Sequence, residues 1–218
     1  MSNILELLVT SPQMSQAILF SLGANTSGEV SLLDNCLFLL IVLLDIGLPR
    51  LAQQYFAVDG ESPSSLSVYF LDRLYEAEAV FALASVTHPE YDLRTYKLYS
   101  DTANNVTYPT SDGIAPVLQV LQINIAPDYE AEFNEWYEDE HINLISHIPG
   151  WRRTRRYTVE EYSQEEPIKF LTFHEWTRVV PNDDPGVIAV GETEWAQKII
   201  PLFSALDSRN YNLTTELD

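Results

Sequence analysis

The stretch from Pro127 to Tyr157, PDYEAEFNEWYEDEHINLISHIPGWRRTRRY, constrains the fold more than any other part of the chain. Tyr129, Phe133, Tyr137 and His141 recur every four residues, with Trp136, Leu144 and Ile145 alongside. That spacing fits one face of a helix and not a strand. The opposite face carries Glu130, Glu132, Glu135, Glu138 and Asp139, so one side is acidic and solvated while the other is apolar with a single titratable group, His141. Asp128 after Pro127 reads as the helix cap and Pro149-Gly150 as its stop. Arg152, Arg153, Arg155 and Arg156 then load both faces of the strand that follows.

The elements around this stretch follow from the same rules. Val117 to Ile125 is a strand, Trp151 to Val159 a second and Ile168 to Trp176 a third; Asn182 to Gly186 is a turn, Thr193 to Leu206 a helix and Arg209 to Glu216 a closing strand. The order is βαββαβ, that of a ferredoxin-like unit. Upstream, Asn3 to Thr10 reads as a strand, Met14 to Leu22 as a helix, Gly23 to Gly28 as a turn and Ser31 to Ile46 as a helix stopped by Gly47. Strands at Arg50 to Val58, Leu66 to Leu71 and Asp92 to Ser100, with a helix at Asp72 to Ser85, complete a similar order. LDIGLPRLAQQY at Leu44 to Tyr55 parallels LISHIPGWRRTRRY at Leu144 to Tyr157. The chain is therefore expected to hold two halves, 1–101 and 115–218, joined by a polar linker over 102–114. A four-stranded sheet with helices on one face leaves the other bare, so two such sheets face to face are expected to enclose a cavity.

Composition limits what such a chain can bind. Its 218 residues are 46% hydrophobic, enough for a core, and its formal charge is -20, which argues against nucleic acid and anionic membranes. Cys36 is the one cysteine, so neither an internal disulfide nor a thiolate-rich metal site is expected. The nine apolar residues from Cys36 to Leu44 fall short of the roughly 20 that a span needs. The first residues lack the pattern of a secretory signal, so a cytoplasmic location is expected. No phosphate loop, nucleophile elbow or nucleotide fingerprint occurs.

The segment FNEWYEDEHINLISHIPGWRRTRRY resembles the dimeric α+β barrel superfamily, and in particular the EthD-like proteins common in filamentous fungi. Their helix carries a similar F-x-x-W-Y-x-x-E-H, followed by P-G-W/F and an arginine-rich strand. The resemblance is best over Pro116 to Trp176. It implies an α+β barrel made of two ferredoxin-like halves in one chain, with a possible homodimer, and a pocket for a hydrophobic small molecule. Aligning Pro49 with Pro149 puts Ile41 in the place of His141, so the pocket is expected in the second half alone. The activities it implies are those of cofactor-free monooxygenases, polyketide cyclases and decarboxylases. On that basis the chain is expected to be a cofactor-independent enzyme of fungal secondary metabolism. It would cyclise, pericyclic closure included, isomerise, dehydrate or decarboxylate a polyketide-like or terpenoid-like intermediate; the alternatives are a cofactor-free EthD-like monooxygenase and a non-catalytic small-molecule binding protein. Some relatives bind a heme; no cofactor is expected here.

His141 can take and return a proton near neutrality; the bland alternative is a buried histidine bonded to Glu140, Tyr137 or a backbone carbonyl. Tyr137, one turn earlier, reads either as a hydrogen-bond partner of the substrate or as packing. His174 shares a strand face with Ile168, Phe170, Thr172 and Trp176, as a second acid or base or as a pairing residue. Arg153 or Arg155 is expected to point inward and bind a carboxylate or enolate, with Trp136, Phe133 and Tyr157 lining the substrate. The outward arginines are expected to meet the acidic helix face. His147 reads as a helix cap and His88 as an exposed turn residue. His141 and His174 with Glu140 or Glu175 would make a metal set, but no spacing requires it, and no metal is expected.

Overall fold

The computed structural model describes residues 17–23, 51–58, 65–71, 81–82, 85–86, 92–103, 115–163, 168–180 and 183–217. Eight strands run β1 Ala17–Gly23, β2 Leu51–Ala57, β3 Ser65–Leu71, β4 Asp92–Ala103, β5 Val117–Ile125, β6 Trp151–Tyr162, β7 Phe170–Trp176 and β8 Phe203–Leu217. They close into one antiparallel barrel in the order β1-β3-β2-β8-β5-β7-β6-β4. The first four strands are ordered β4-β1-β3-β2 and the last four β8-β5-β7-β6, the same permutation. β2 pairs with β8 and β4 with β6, and these two seams leave no strand edge unpaired.

Alternation along each strand sorts the side chains into two layers. Tyr55, Leu66, Val68, Tyr96, Leu118, Val120, Tyr157, Leu171, Phe173 and Tyr211, drawn from seven strands, form one buried cluster. It lies in the barrel lumen, where an eight-stranded barrel has room for its own side chains or for one small ligand. The opposite face of β5, β6 and β7 is covered by helices.

The main helix begins with a 3-10 turn, Pro127–Tyr129, and continues as α1 Glu130–Trp136, a π-helical turn Tyr137–His141 and α2 Ile142–Ser146. After β7 come α3 Pro185–Gly191 and α4 Glu194–Ile199, then a 3-10 turn, Ile200–Leu202. Under α1 and α4 lies a core of Phe133, Trp136, Tyr137, Ile142, Phe170 and Ile199; a second, of Ile145, Ile148, Trp151, Trp176 and Val190, lies under α2 and α3.

Several sequence expectations are corrected. Met14 to Leu22 reads as a helix, but Ala17–Gly23 is a strand between β3 and β4; a short apolar run carries no period that separates the two. Asp128 caps nothing: Pro127 opens the turn and no side chain bonds its first amides. Tyr129 is 42% exposed and leaves the apolar stripe. The closing helix does not reach Leu206, since β8 starts at Phe203 two residues beyond Pro201. The turn at Asn182 to Gly186 holds the start of α3, whose N-cap Asp184 accepts from Gly186 N at 2.9 Å. β4 runs three residues past Ser100, so Thr102 and Ala103 are strand and not linker. The expected strand Asn3 to Thr10, helix Ser31 to Ile46, His88 and most of helix Asp72 to Ser85 lie outside the described residues; 81–82 and 85–86 are helical.

Gly150 does stop the helix. Its φ of +103° is a conformation that side chains disfavour, and a Cβ there would stand 3.0 Å from Thr177 Oγ1. The turn it makes lets Thr177 N donate to Gly150 O at 2.8 Å, aligning the helix exit with β7.

Candidate active site

The π-helical turn sets the side chains of the site. Ile142 N–H donates to Tyr137 O, five residues back. The wider turn carries an additional residue and turns Trp136, Tyr137 and His141 together toward the sheet. Such single turns recur at functional sites. The register of β6 on β7 places Thr154 opposite His174, directly beneath them.

His174 is fully buried and spends both ring nitrogens on protein partners. Nε2 lies 3.2 Å from Tyr137 Oη and Nδ1 lies 2.8 Å from Thr154 Oγ1, which also accepts from Trp151 Nε1 at 2.9 Å. Burial, with the Arg156 charge adding to it, pushes the His174 pKa down to about 3. Burial pushes the Tyr137 phenol up to about 12, against the pull of Arg156 and a hydrogen bond with Thr172. Imidazole and phenol are therefore both neutral near pH 7, linked in a chain whose ends are fixed by the sheet.

His141 differs from His174 in one respect. Its ring packs between Trp136, centroids 4.6 Å apart, and Tyr137, 4.5 Å apart, with His174 6.1 Å away. Part of the residue reaches solvent, yet Nδ1 is sealed and has no hydrogen-bond partner among the described residues. The partners that a structural histidine would use are taken. Glu140 Oε1 accepts from Trp136 Nε1 at 3.2 Å and from Thr193 Oγ1 at 2.5 Å, and the Tyr137 hydroxyl is engaged by His174. Burial, then His174 and Arg156, hold the His141 pKa well below 6.5, so the ring is uncharged. An unmatched buried polar atom costs about 1–3 kcal/mol, and none of the described residues offers Nδ1 a partner.

Arg156, one of the outward arginines, meets the acidic helix face as expected, through Glu138; its place beside Tyr137 is what sequence reasoning missed. Arg156 is 2% exposed and lies with its guanidinium 4.1 Å from the Tyr137 ring centroid. Nη1 donates to Glu138 Oε1 at 2.6 Å and Nη2 to Asn134 Oδ1 at 2.7 Å. Ser100 Oγ donates to the same Glu138 oxygen at 2.6 Å. Glu138 thus leaves the solvated face assigned to it by periodicity. The signal was present in the two-residue period: Arg156 shares a face with Thr154, which pairs with His174.

Arg153 and Arg155 do point inward, but into the lumen and away from the histidines. Arg153 holds Asp101 through Nε, at 2.7 Å, and Nη2; Arg155 Nη2 meets Glu175 Oε1 at 2.5 Å. Tyr157 belongs to the lumen cluster, and burial pushes its phenol up to about 12. Phe133 is fully buried against Tyr137, Phe170 and Phe203. The expected residues therefore fall into two layers: His141, Tyr137, His174, Trp136 and Phe133 between helix and sheet, and Arg153, Arg155 and Tyr157 inside the barrel. His147 bonds Asn143 O through Nδ1 at 2.7 Å at the helix end. Among the described residues no three His, Cys, Asp or Glu side chains are grouped to hold a metal, and no helix is long and apolar enough to cross a membrane.

No family model matches the chain, and a search of curated proteins finds no significant match. Among solved structures it is similar to an anthrone oxidase-like protein, with 94% of this chain and 93% of that one covered at 11% identity and a TM-score of 0.64. It is similar to a mutant chlorite dismutase from Candidatus Nitrospira defluvii, with 93% and 92% covered, 10% identity and a TM-score of 0.60. A protein classed as a monooxygenase from Fusobacterium nucleatum follows, with 93% and 94% covered, 9% identity and a TM-score of 0.55. At such identities the likeness is one of fold: the chain is an antiparallel α+β barrel of the architecture that these proteins share.

Proposed function

We propose that the protein is a cofactor-independent enzyme, EthD-like in character, that removes a proton from a hydrophobic, polyketide-like or terpenoid-like ketone or phenol. His141 is the base. The observation that carries this reading is its buried Nδ1, which has no hydrogen-bond partner among the described residues. As the proton moves to the imidazole, the electron pair stays on the substrate as an enolate or phenolate. The fixed charge of Arg156, already oriented by Glu138 and Asn134, stabilises that anion with little reorganisation. His174 and Tyr137 orient the layer and keep it dry. The anion then cyclises, isomerises or expels hydroxide, and the imidazolium returns the proton to the product or to the leaving hydroxide; where the substrate carries a carboxylate, loss of CO2 gives the same enolate directly.

The test is hydrogen–deuterium exchange of the methylene of anthrone in D2O, followed by NMR. The protein should accelerate exchange, and His141→Ala should slow it about 100-fold. Equal rates with and without His141 would remove the base assignment.

A second reading is favoured by the fold neighbours named for oxidase or monooxygenase activity. The same carbanion can give its electrons to dioxygen, forming a hydroperoxide that loses water, so that a methylene and O2 become a carbonyl and H2O. Turnover that continues under argon excludes this oxygenase reading; turnover that stops without oxygen selects it.

A further inference from the structure

The Nδ1 atom of the base is sealed, so a substrate needs a way to it. On the outer surface, between α2 and the seam of β4 with β6, lies an open depression of about 490 Å3, within the range of small-molecule sites. Its floor is Ile142 and Trp151, and its walls are Ala103, Asn143 and Glu138. Trp151 Nε1 is committed to Thr154, so this residue offers the depression an aromatic surface and no donor. Glu138 joins the depression to the buried layer. Its side chain is 29% exposed, while that of the Arg156 it binds is 2% exposed.

We propose that this depression is the substrate vestibule and that Glu138 is its inner latch, with a planar phenol or enolisable ketone as the ligand. The ring system lies on Trp151 and Ile142. The ligand's oxygen replaces the Glu138 carboxylate on Arg156 Nη1, and the displaced carboxylate turns into the solvent it already touches. Arg156 keeps its second bond, to Asn134, and so stays in place. Arg156 and His141 each pack on the Tyr137 ring, at 4.1 and 4.5 Å, so the cation that would hold the ligand's oxygen and the base contact one and the same aromatic ring. Glu138 becomes a specificity residue: a neutral ligand with no acidic oxygen gains nothing from displacing it. The inference rests on His141 as the base, and its test separates the two.

The probe is 2-naphthol, with binding followed by quenching of tryptophan fluorescence at neutral pH. Wild type should bind it, and Glu138→Gln, which removes the competing charge from Arg156, should tighten binding about tenfold. Ala103→Trp and Asn143→Trp each fill the depression from a different wall and should weaken binding at least tenfold; Asn143 is exposed on the helix, so that variant retains the fold if the strand variant does not. No binding by wild type, equal binding by both filled variants, or no effect of Glu138→Gln would overturn the vestibule. Loss of the base assignment shows separately, as anthrone exchange that survives His141→Ala.

Discussion

At the scale of single residues, the two histidines of the layer differ in what surrounds them. His174 is saturated by Tyr137 and Thr154, while His141 has a nitrogen with no partner among the described residues. Both are held below the ordinary histidine range by burial and the Arg156 cation. The sign of the consequence follows from proton binding: the unfolded chain takes up protons at these positions below about pH 6.5, whereas folded His174 does so only near pH 3. Stability from His174 is therefore fully present above about 6.5 and is lost as the pH falls toward 3. Replacing it by glutamine, which cannot titrate, should flatten the acid limb of a plot of unfolding free energy against pH while lowering its plateau. A limb of unchanged slope would show that other groups set the acid sensitivity. The depressed His141 pKa has a matching effect on rate: proton abstraction should stay constant from pH 8 to 6.5 and not fall with the titration of a free imidazole.

At the scale of elements, the π-helical turn and the start of α4 support each other. Thr193 Oγ1 accepts from Ala196 N at 3.0 Å, as an N-cap, and donates to Glu140 Oε1 at 2.5 Å, which also holds Trp136. Thr193→Val keeps the shape and removes both bonds. It should cost about 1–2 kcal/mol in chemical denaturation and should slow the exchange reaction as well, because Trp136 packs on His141. Full activity at reduced stability would make Thr193 a cap alone. The sequence carried much of this in its periods. The four-residue recurrence from Phe133 placed Tyr137 and His141 against the sheet, and the two-residue recurrence in β7 placed Phe170, Thr172, His174 and Trp176 on one face. It could not carry the π-helical turn, which changes the period for a few residues and brings Glu138 off the solvated side. Nor could it carry the bulges. The shift of β4 on β6 between Leu98 and Ser100 changes which residues face inward, so Ser100 reaches Glu138 under the helix while its neighbour Asp101 meets Arg153 in the lumen. That parity is fixed by pairing with a distant strand and leaves no mark in local composition.

At the scale of the molecule, closing the barrel decides which pairs of charges are buried and which layer can receive a ligand. The lumen receives side chains from seven strands, and Arg155 pairs there with Glu175 and Arg153 with Asp101. Arg155 and Glu175 are 11% and 8% exposed and join β6 to β7 from the inside. Burial works to lower the Arg155 pKa, but Glu175 and the neighbouring Tyr157, Tyr55 and Asp101 raise it above the ordinary value, so the guanidinium remains charged and requires its carboxylate. Removing one member of a buried pair leaves the other without compensation, at about 3–5 kcal/mol, whereas replacing both by apolar groups of similar volume is often close to neutral. Glu175→Leu alone and Arg155→Met alone should each destabilise by several kcal/mol in urea unfolding, and the double variant should recover most of that loss. Because the pair lies in the lumen and the base lies on the other face of the same strands, the double variant should also retain anthrone exchange within a fewfold of wild type. Additive destabilisation would mean that the two side chains act independently. A double variant that folds well but has lost exchange would move Arg155 from the framework of the barrel into the site.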